Sequence, residues 1–253
     1  MELDLHSTHP RLVELYDIEN VWGPDDDFWV ELADELGART IIDLGCGTGQ
    51  LTRALAVGDR VVIGVDPSPA MLAVARRGQG AERVRWVQGD APALQPIGAD
   101  LALMTGNVAQ VFLDDEAWDA ALRSLHAALR AGGSLAFDSR NPAAREWEQW
   151  TKANTCQRLE TPHGPVETWL EGVAVEEDRV RLEGHNLFLA TGETIVAPST
   201  LRFRTAEELV RSLERAGFVV EAMYGDWRRS PLTPESRTII TIARRDGGDD
   251  GAR

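Results

Sequence analysis

The chain has 253 residues, with 26 basic and 41 acidic side chains, a net charge of −15, 43% hydrophobic residues and 6% aromatics. This is a globular composition, and the length suits one large domain with an insertion, burying about 70 to 75% of its unfolded surface. The acidity and the lack of a basic run exclude a surface built to displace counterions from nucleic acid, and no segment approaches the roughly 18 apolar residues that span a bilayer.

Lys152 is the only lysine, so Schiff-base chemistry and lysine-centred base groups are excluded in practice. Cys46 and Cys156 make neither a disulfide framework nor a metal cluster, and no metal is expected. Met1-Glu2-Leu3-Asp4 lacks a basic region leading into an apolar stretch. The expected compartment is the reducing cytoplasm.

His6 and His9 fall in a terminus expected to be mobile, followed by an amphipathic stretch through Leu12, Leu15 and Tyr16. From there short β-branched runs alternate with helical periodicity, the pattern of βαβ units and a parallel sheet. The strand candidates are Thr40 to Asp43, Arg60 to Val65, Val84 to Val87, Asp100 to Met104 and Ser134 to Asp138. Ser68-Pro69 reads as an N-cap and first helical residue, with a stop at Gly78. Asp114 to Arg130 reads as an amphipathic helix, probing toward Gly132-Gly133 as its end, and His126 is expected on its solvated side.

After Arg140 a tryptophan-rich helix over Pro142 to Trp150 leads into alternating strands joined by Pro162-His163-Gly164, Glu177-Asp178 and Thr191-Gly192-Glu193, read as an inserted antiparallel meander. Thr205-Ala-Glu-Glu208 is a capping box opening a helix that ends at Gly217. Phe218 to Tyr224 and Thr238 to Ala243 are joined too briefly for a helical crossover and should pair antiparallel. The expected fold is α/β, a Rossmann-like, mostly parallel sheet whose last strand is antiparallel, plus the inserted meander. Its expected divisions are a helical lid at 1–36, a core at 37–140, an inserted cap at 141–204, closing elements at 205–245 and a polar tail at 246–253.

Asp43-Leu-Gly45-Cys-Gly47-Thr-Gly49 sits where the first strand meets the first core helix, and ligands in such sheets bind outside the carboxyl ends of the strands. Glycines let backbone turn sharply there and approach a ligand without a Cβ. A dinucleotide fingerprint needs a further glycine where Gln50 stands, which sets a dehydrogenase aside. Asp43 would repel a pyrophosphate and attract an ammonium group. Asp66 ends the second strand, where a carboxylate takes ribose hydroxyls, and Asp90 with the amide of Ala91 follows the third, suited to an adenine edge. Ammonium, ribose and adenine partners at successive strand ends describe S-adenosylmethionine.

With Ile42 to Thr52, Val62 to Leu72, Val87 to Ala91 and Leu129 to Leu135 in that order, the chain resembles class I S-adenosylmethionine-dependent methyltransferases, particularly bacterial small-molecule enzymes. The resemblance implies a seven-stranded sheet and cofactor contacts from Asp43, Gly45, Gly47, Gly49, Asp66, Asp90 and Ala91, with Thr105 and Asn107 under the methionine portion. It also likens Tyr16-Asp17 and Trp22 to Trp29 to a lid in which a tyrosine touches cofactor or acceptor, making Tyr16 a catalytic candidate beside plain packing.

Met104-Thr-Gly-Asn107 stands where nucleic-acid amino-methylating enzymes carry Asn/Asp-Pro-Pro-Tyr, and no Pro-Cys dipeptide offers a cytosine C5 nucleophile. The expected partner is a small-molecule acceptor, with neither nucleic acid nor membrane. Arg140 is read as binding an acceptor carboxylate, or else as a surface pair with Asp138 or Glu146. Trp147, Trp150, Trp169 and Trp227 are read as pocket wall or core. His185 is the candidate general base, on a strand whose alternation is read as changing phase at a bulge at Gly184, and an ordinary strand histidine otherwise. The reaction expected is methyl transfer to nitrogen or oxygen. The alternatives are a non-methylating reaction such as a cyclisation, or a non-catalytic partner subunit.

Overall fold

A computed structural model describes residues 3–247; of the tail expected at 246–253, residues 248–253 lie outside the described residues. Three helices open the chain: α1 (Leu5–Thr8), α2 (Pro10–Glu19) and α3 (Pro24–Glu35). The core then alternates β1 (Thr40–Leu44), α4 (Gln50–Leu55), β2 (Val61–Asp66), α5 (Pro69–Ala75), β3 (Val84–Gln88), β4 (Ala99–Met104), α6 (Asp115–Ala128) and β5 (Leu129–Arg140). A short α7 (Lys152–Thr155) precedes the insertion strands β6 (Gln157–Thr161), β7 (Gly164–Glu176), β8 (Arg179–Phe188) and β9 (Glu193–Arg202). The core resumes with α8 (Ala206–Arg215), β10 (Phe218–Tyr224) and β11 (Thr238–Arg245).

The core sheet has seven strands in the order β10-β11-β5-β4-β1-β2-β3, and the insertion forms a separate four-stranded sheet, β6-β7-β8-β9. Within the core only β11 runs against its neighbours, β5 and β10. It is therefore an interior strand, and β10 forms the edge. The strand order reverses between β1 and β4, so the carboxyl ends of those strands open onto one crevice.

Side chains alternate across the pleat. Ile42, Leu44, Ala102 and Met104 pack with α6 and α8 through Trp118, Leu122 and Leu213, while Ile41, Leu101 and Leu103 pack with α3 and α4 through Phe28, Trp29 and Leu55. Both faces of β1 and β4 are covered, which explains their nearly continuous apolar runs.

Several helix limits differ from the sequence reading. α6 stops at Ala128 because the chain enters β5 at once, and Gly132-Gly133 lies within that strand. His126 is half-buried and not fully solvated: its ring stands edge-on to Phe218 at 5.2 Å. Pro142 to Trp150 is two 3₁₀ turns, Pro142–Ala144 and Glu146–Gln149, parted by Arg145 at φ +49°.

The N-terminal helices wedge between the two sheets and are tied to both. Ser68 Oγ donates to the Ser7 carbonyl and Thr48 Oγ1 to Asp17, holding α1 and α2 on the core loops. On the insertion side Ser199 Oγ donates to Asp4 at 3.1 Å, and the Arg11 guanidinium lies 3.3 Å from the centre of the Phe188 ring. Leu12 and Leu15 complete the seam against Val166, Phe188 and Ala197. His6 thus lies in a short helix, not in the loose terminus expected, because hydrogen bonds at Ser7 and Asp4 tie that helix to the core and to the insertion sheet.

Candidate active site

The glycine loop turns by passing through the left-handed region, with φ of +78° at Gly45, +53° at Gly47 and +75° at Gly49. The amides of Gly45 and Cys46 both donate to the Val65 carbonyl, at 2.7 and 3.1 Å, which anchors the turn to the end of β2. A Cβ on Gly45 would lie 2.4 Å from a Val108 methyl, and one on Gly49 2.4 Å from the Trp86 ring. Gly47 differs: its Cα faces the Tyr16 ring, which an added Cβ would meet at 3.7 Å.

Asp43 ends β1 almost wholly buried. Its Oδ2 accepts from Thr52 Oγ1 at 2.6 Å, while Oδ1 is buried without a hydrogen-bond partner among the described residues. Burial pushes its carboxyl up to about 6, against the lowering by Thr52, with Asp66 adding repulsion. An orphaned carboxylate oxygen beside an open turn suits a ligand that brings a cation, as the ammonium and sulfonium of S-adenosylmethionine would.

Asp66 accepts from the amides of Gly47, at 2.9 Å, and Ser68, at 2.8 Å. Each oxygen keeps a lone pair, so ribose hydroxyls can still donate. Burial holds this carboxyl above the usual range despite both amides. Asp90 follows β3 and opens a 3₁₀ turn whose first residue, Ala91, is fully buried. After β4, Thr105 is half-buried and Asn107 adopts φ +66°, its amide donating to Asp138 Oδ2 at 2.9 Å. The expected donor residues thus line one edge of the sheet, and they fit S-adenosylmethionine.

Asp138 was not singled out by sequence and is not the surface partner considered for Arg140. It is buried at the end of β5, with Oδ1 lacking a partner among the described residues, and burial pushes its carboxyl up to about 7. Its place within the buried run of β5 was the available signal.

A cavity of about 1090 Å³ lies between this edge and the insertion sheet, with Tyr16, Arg140, Trp150 and Trp169 in its wall. Tyr16 links it to the glycine loop. Burial, then the charges of Asp66 and Asp17, push the phenol up to about 12, so it stays protonated at neutral pH. Arg140 donates from Nη1 to the buried Gln110 Oε1 at 3.0 Å and lies 3.7 Å from Glu146. Burial lowers its pKa. Trp147 packs edge-on to Phe203, and Trp227 joins Phe28 and Trp29 in the core, away from the cavity wall.

The bulge expected at Gly184 is absent. β8 pairs with β9 without a break, and its register shift against β7 falls between Gly172 and Ala174. Gly184 and Asn186 simply replace apolar residues on the inner face, Gly184 because the His6 ring lies where its Cβ would be. His185 therefore points to the opposite face. It stacks on Trp169 at 4.8 Å, with Glu171 at 3.3 Å and Glu183 at 3.5 Å, and does not line the cavity. His6 and Glu19, which sequence reasoning passed over, do line it.

Residues 41–133 match the family model described as a methyltransferase domain. Over 221 residues the chain is 28% identical to the cypemycin N-terminal methyltransferase of a Streptomyces species, covering 86% of this chain and 87% of that one. Among solved structures, the CcbJ methyltransferase of Streptomyces caelestis superposes with a TM-score of 0.77 at 20% identity, over 95% of this chain and 99% of that one. CalS10, an amino pentose methyltransferase of Micromonospora echinaspora, superposes with a TM-score of 0.68 at 21% identity, over 91% and 96%. At such identities the two structures establish a likeness of fold.

Proposed function

Because this chain belongs to the class I S-adenosylmethionine-dependent methyltransferases, we propose that it methylates a nitrogen or oxygen of a small molecule seated in the cavity between the core and the insertion sheet. The observation that carries this reading is a cavity of about 1090 Å³ whose wall includes Tyr16, the residue packed on Gly47. A space of this kind encloses a drug-sized ligand. Relatives named for amino pentose and N-terminal methylation support it.

In this reading Asp43 faces the donor's ammonium, Asp66 its ribose, and Asp90 and Ala91 its adenine. Gly45, Gly47 and Gly49 shape the turn, while Thr105 and Asn107 border the methionine portion. S-adenosylmethionine supplies, when bound, an electrophilic methyl group on a sulfonium. The chain's own contribution is alignment of the acceptor with that methyl and exclusion of water, and holding reactants in line supplies much of the rate in such displacements. Tyr16, protonated, positions the acceptor by hydrogen bonding, and Arg140 binds an anionic or hydroxyl group at the far wall. Residues 1–36 serve as lid and 141–204 as acceptor cap. The two free cysteines, Cys46 and Cys156, support a reducing, cytoplasmic setting. No described helix is long and apolar enough to cross a membrane.

The test is incubation with S-adenosylmethionine and a panel of small amines, alcohols, phenols and carboxylates, following S-adenosylhomocysteine and the acceptor by mass spectrometry. Equal amounts of S-adenosylhomocysteine and a product heavier by one methylene are expected. Donor consumption without a methylated product would favour a different reaction in the same pocket, and no donor binding by folded protein would refute the proposal.

A further inference from the structure

The helix that places Tyr16 on the glycine loop carries a second cavity residue, Glu19. Positions i and i+3 share a helix face, so this carboxylate stands about 4.5 Å further along the axis, next to the tyrosine. Thr168 of β7 and His6 of α1 face it, and its Oε1 is buried without a partner among the described residues. The opposite wall has the reverse character: Arg140 and Arg237 approach Glu146 at 3.7 and 3.9 Å. The cavity therefore has a basic end only partly neutralised by Glu146 and an acidic point, beside Tyr16, with a carboxylate oxygen that has no partner among the described residues.

Resting on the methyltransferase reading, we propose that the acceptor is an amine and that Glu19 binds its ammonium group and removes one proton from it. The N–H bond breaks with its electrons left on nitrogen, and the proton passes to the Glu19 carboxylate. The freed lone pair forms the new N–C bond as the methyl–sulfur bond breaks, its electrons going to sulfur. The carboxylic acid returns its proton to solvent on product release.

Two features favour an amine over an alcohol. Burial holds the Glu19 carboxyl above its ordinary range, which makes it a stronger base than a free carboxylate. An amino group, which titrates at about 8 to 10, asks far less of such a base than an alcohol does. Tyr16 meanwhile keeps its proton and cannot substitute as base.

The test compares the wild type with Glu19→Gln, which preserves size but removes the charge. Glucosamine, alaninamide and a hexapeptide with a free amino terminus serve as probes, each beside its N-acetylated form, with glucose as hydroxyl control. Binding is measured by calorimetry on protein saturated with S-adenosylhomocysteine, and turnover with S-adenosylmethionine. At least one free amine should bind and be methylated while its acetylated form is not, and Glu19→Gln should lose at least tenfold in amine affinity with unchanged S-adenosylhomocysteine affinity. Binding of none of the amines, methylation of glucose in their place, or equal amine binding by the variant would overturn the proposal. Methylation of glucose would leave the methyltransferase reading standing; failure to bind S-adenosylhomocysteine would remove that reading first.

Discussion

The amide of Gly47 donates to the Asp66 carboxylate at 2.9 Å, joining the tip of the glycine loop to the end of the neighbouring strand. One side chain thus shapes the turn and presents acceptor atoms to whatever occupies it.

Replacing Asp66 by alanine should accordingly weaken S-adenosylmethionine binding about tenfold or more, roughly 1.4 kcal/mol. Calorimetric titration measures this directly. An unchanged affinity would take Asp66 out of the donor site.

Gly45 faces Val108 so closely that Gly45→Ala should destabilise the protein by about 1 to 3 kcal/mol, through overpacking and through the positive φ. Adding Val108→Ala relieves the first cause and leaves the second. Urea midpoints should therefore show partial recovery in the double variant; full additivity of two losses would contradict the contact.

Asp43 and Asp138 are held protonated up to about pH 6 and 7, whereas unfolded carboxylic acids release their protons near pH 4. Between about pH 4 and 7 the folded state binds more protons, so these groups make stability fall as pH rises through that window and level off above it. Asp138→Asn should flatten the slope by removing one of the two. Chemical denaturation of the ligand-free protein from pH 4.5 to 8 provides the comparison, and an identical slope in the variant would rule out Asp138 as a source.

Arg140 lines the cavity and is not among the residues assigned to the donor, so Arg140→Gln should raise acceptor KM several-fold and leave S-adenosylhomocysteine affinity unchanged. Steady-state kinetics with the identified acceptor, beside a calorimetric titration, separates the two effects. A matching loss in both would place Arg140 with the donor instead.

The core was legible because its signals are local. Ile41 and Ile42 occupy a strand covered on both faces, and the capping box at Thr205 and Glu208 forms as read, with the Thr205 amide donating to Glu208 at 2.8 Å. The places of Asp43 and Asp66 at the ends of β1 and β2 were legible for the same reason. The acceptor side depends on contacts between distant segments. His6 gains its place only because Gly184, far along the chain, leaves room for its ring. His185 was misread because a glycine and an asparagine on the inner face of β8 imitate a change of phase, although the alternation continues unbroken. Glu19 lay one helical step beyond Tyr16, within reach of the periodicity already in use.

The interior position of β11 bears on how the protein is made. Residues 238–245 fill the gap between β5 and β10, so neither of those strands can be fully paired until that segment has been made. Until then β5 shows an open apolar edge to its surroundings, the kind of exposure that invites self-association. Termination before residue 238 should therefore yield aggregate in place of a smaller working enzyme.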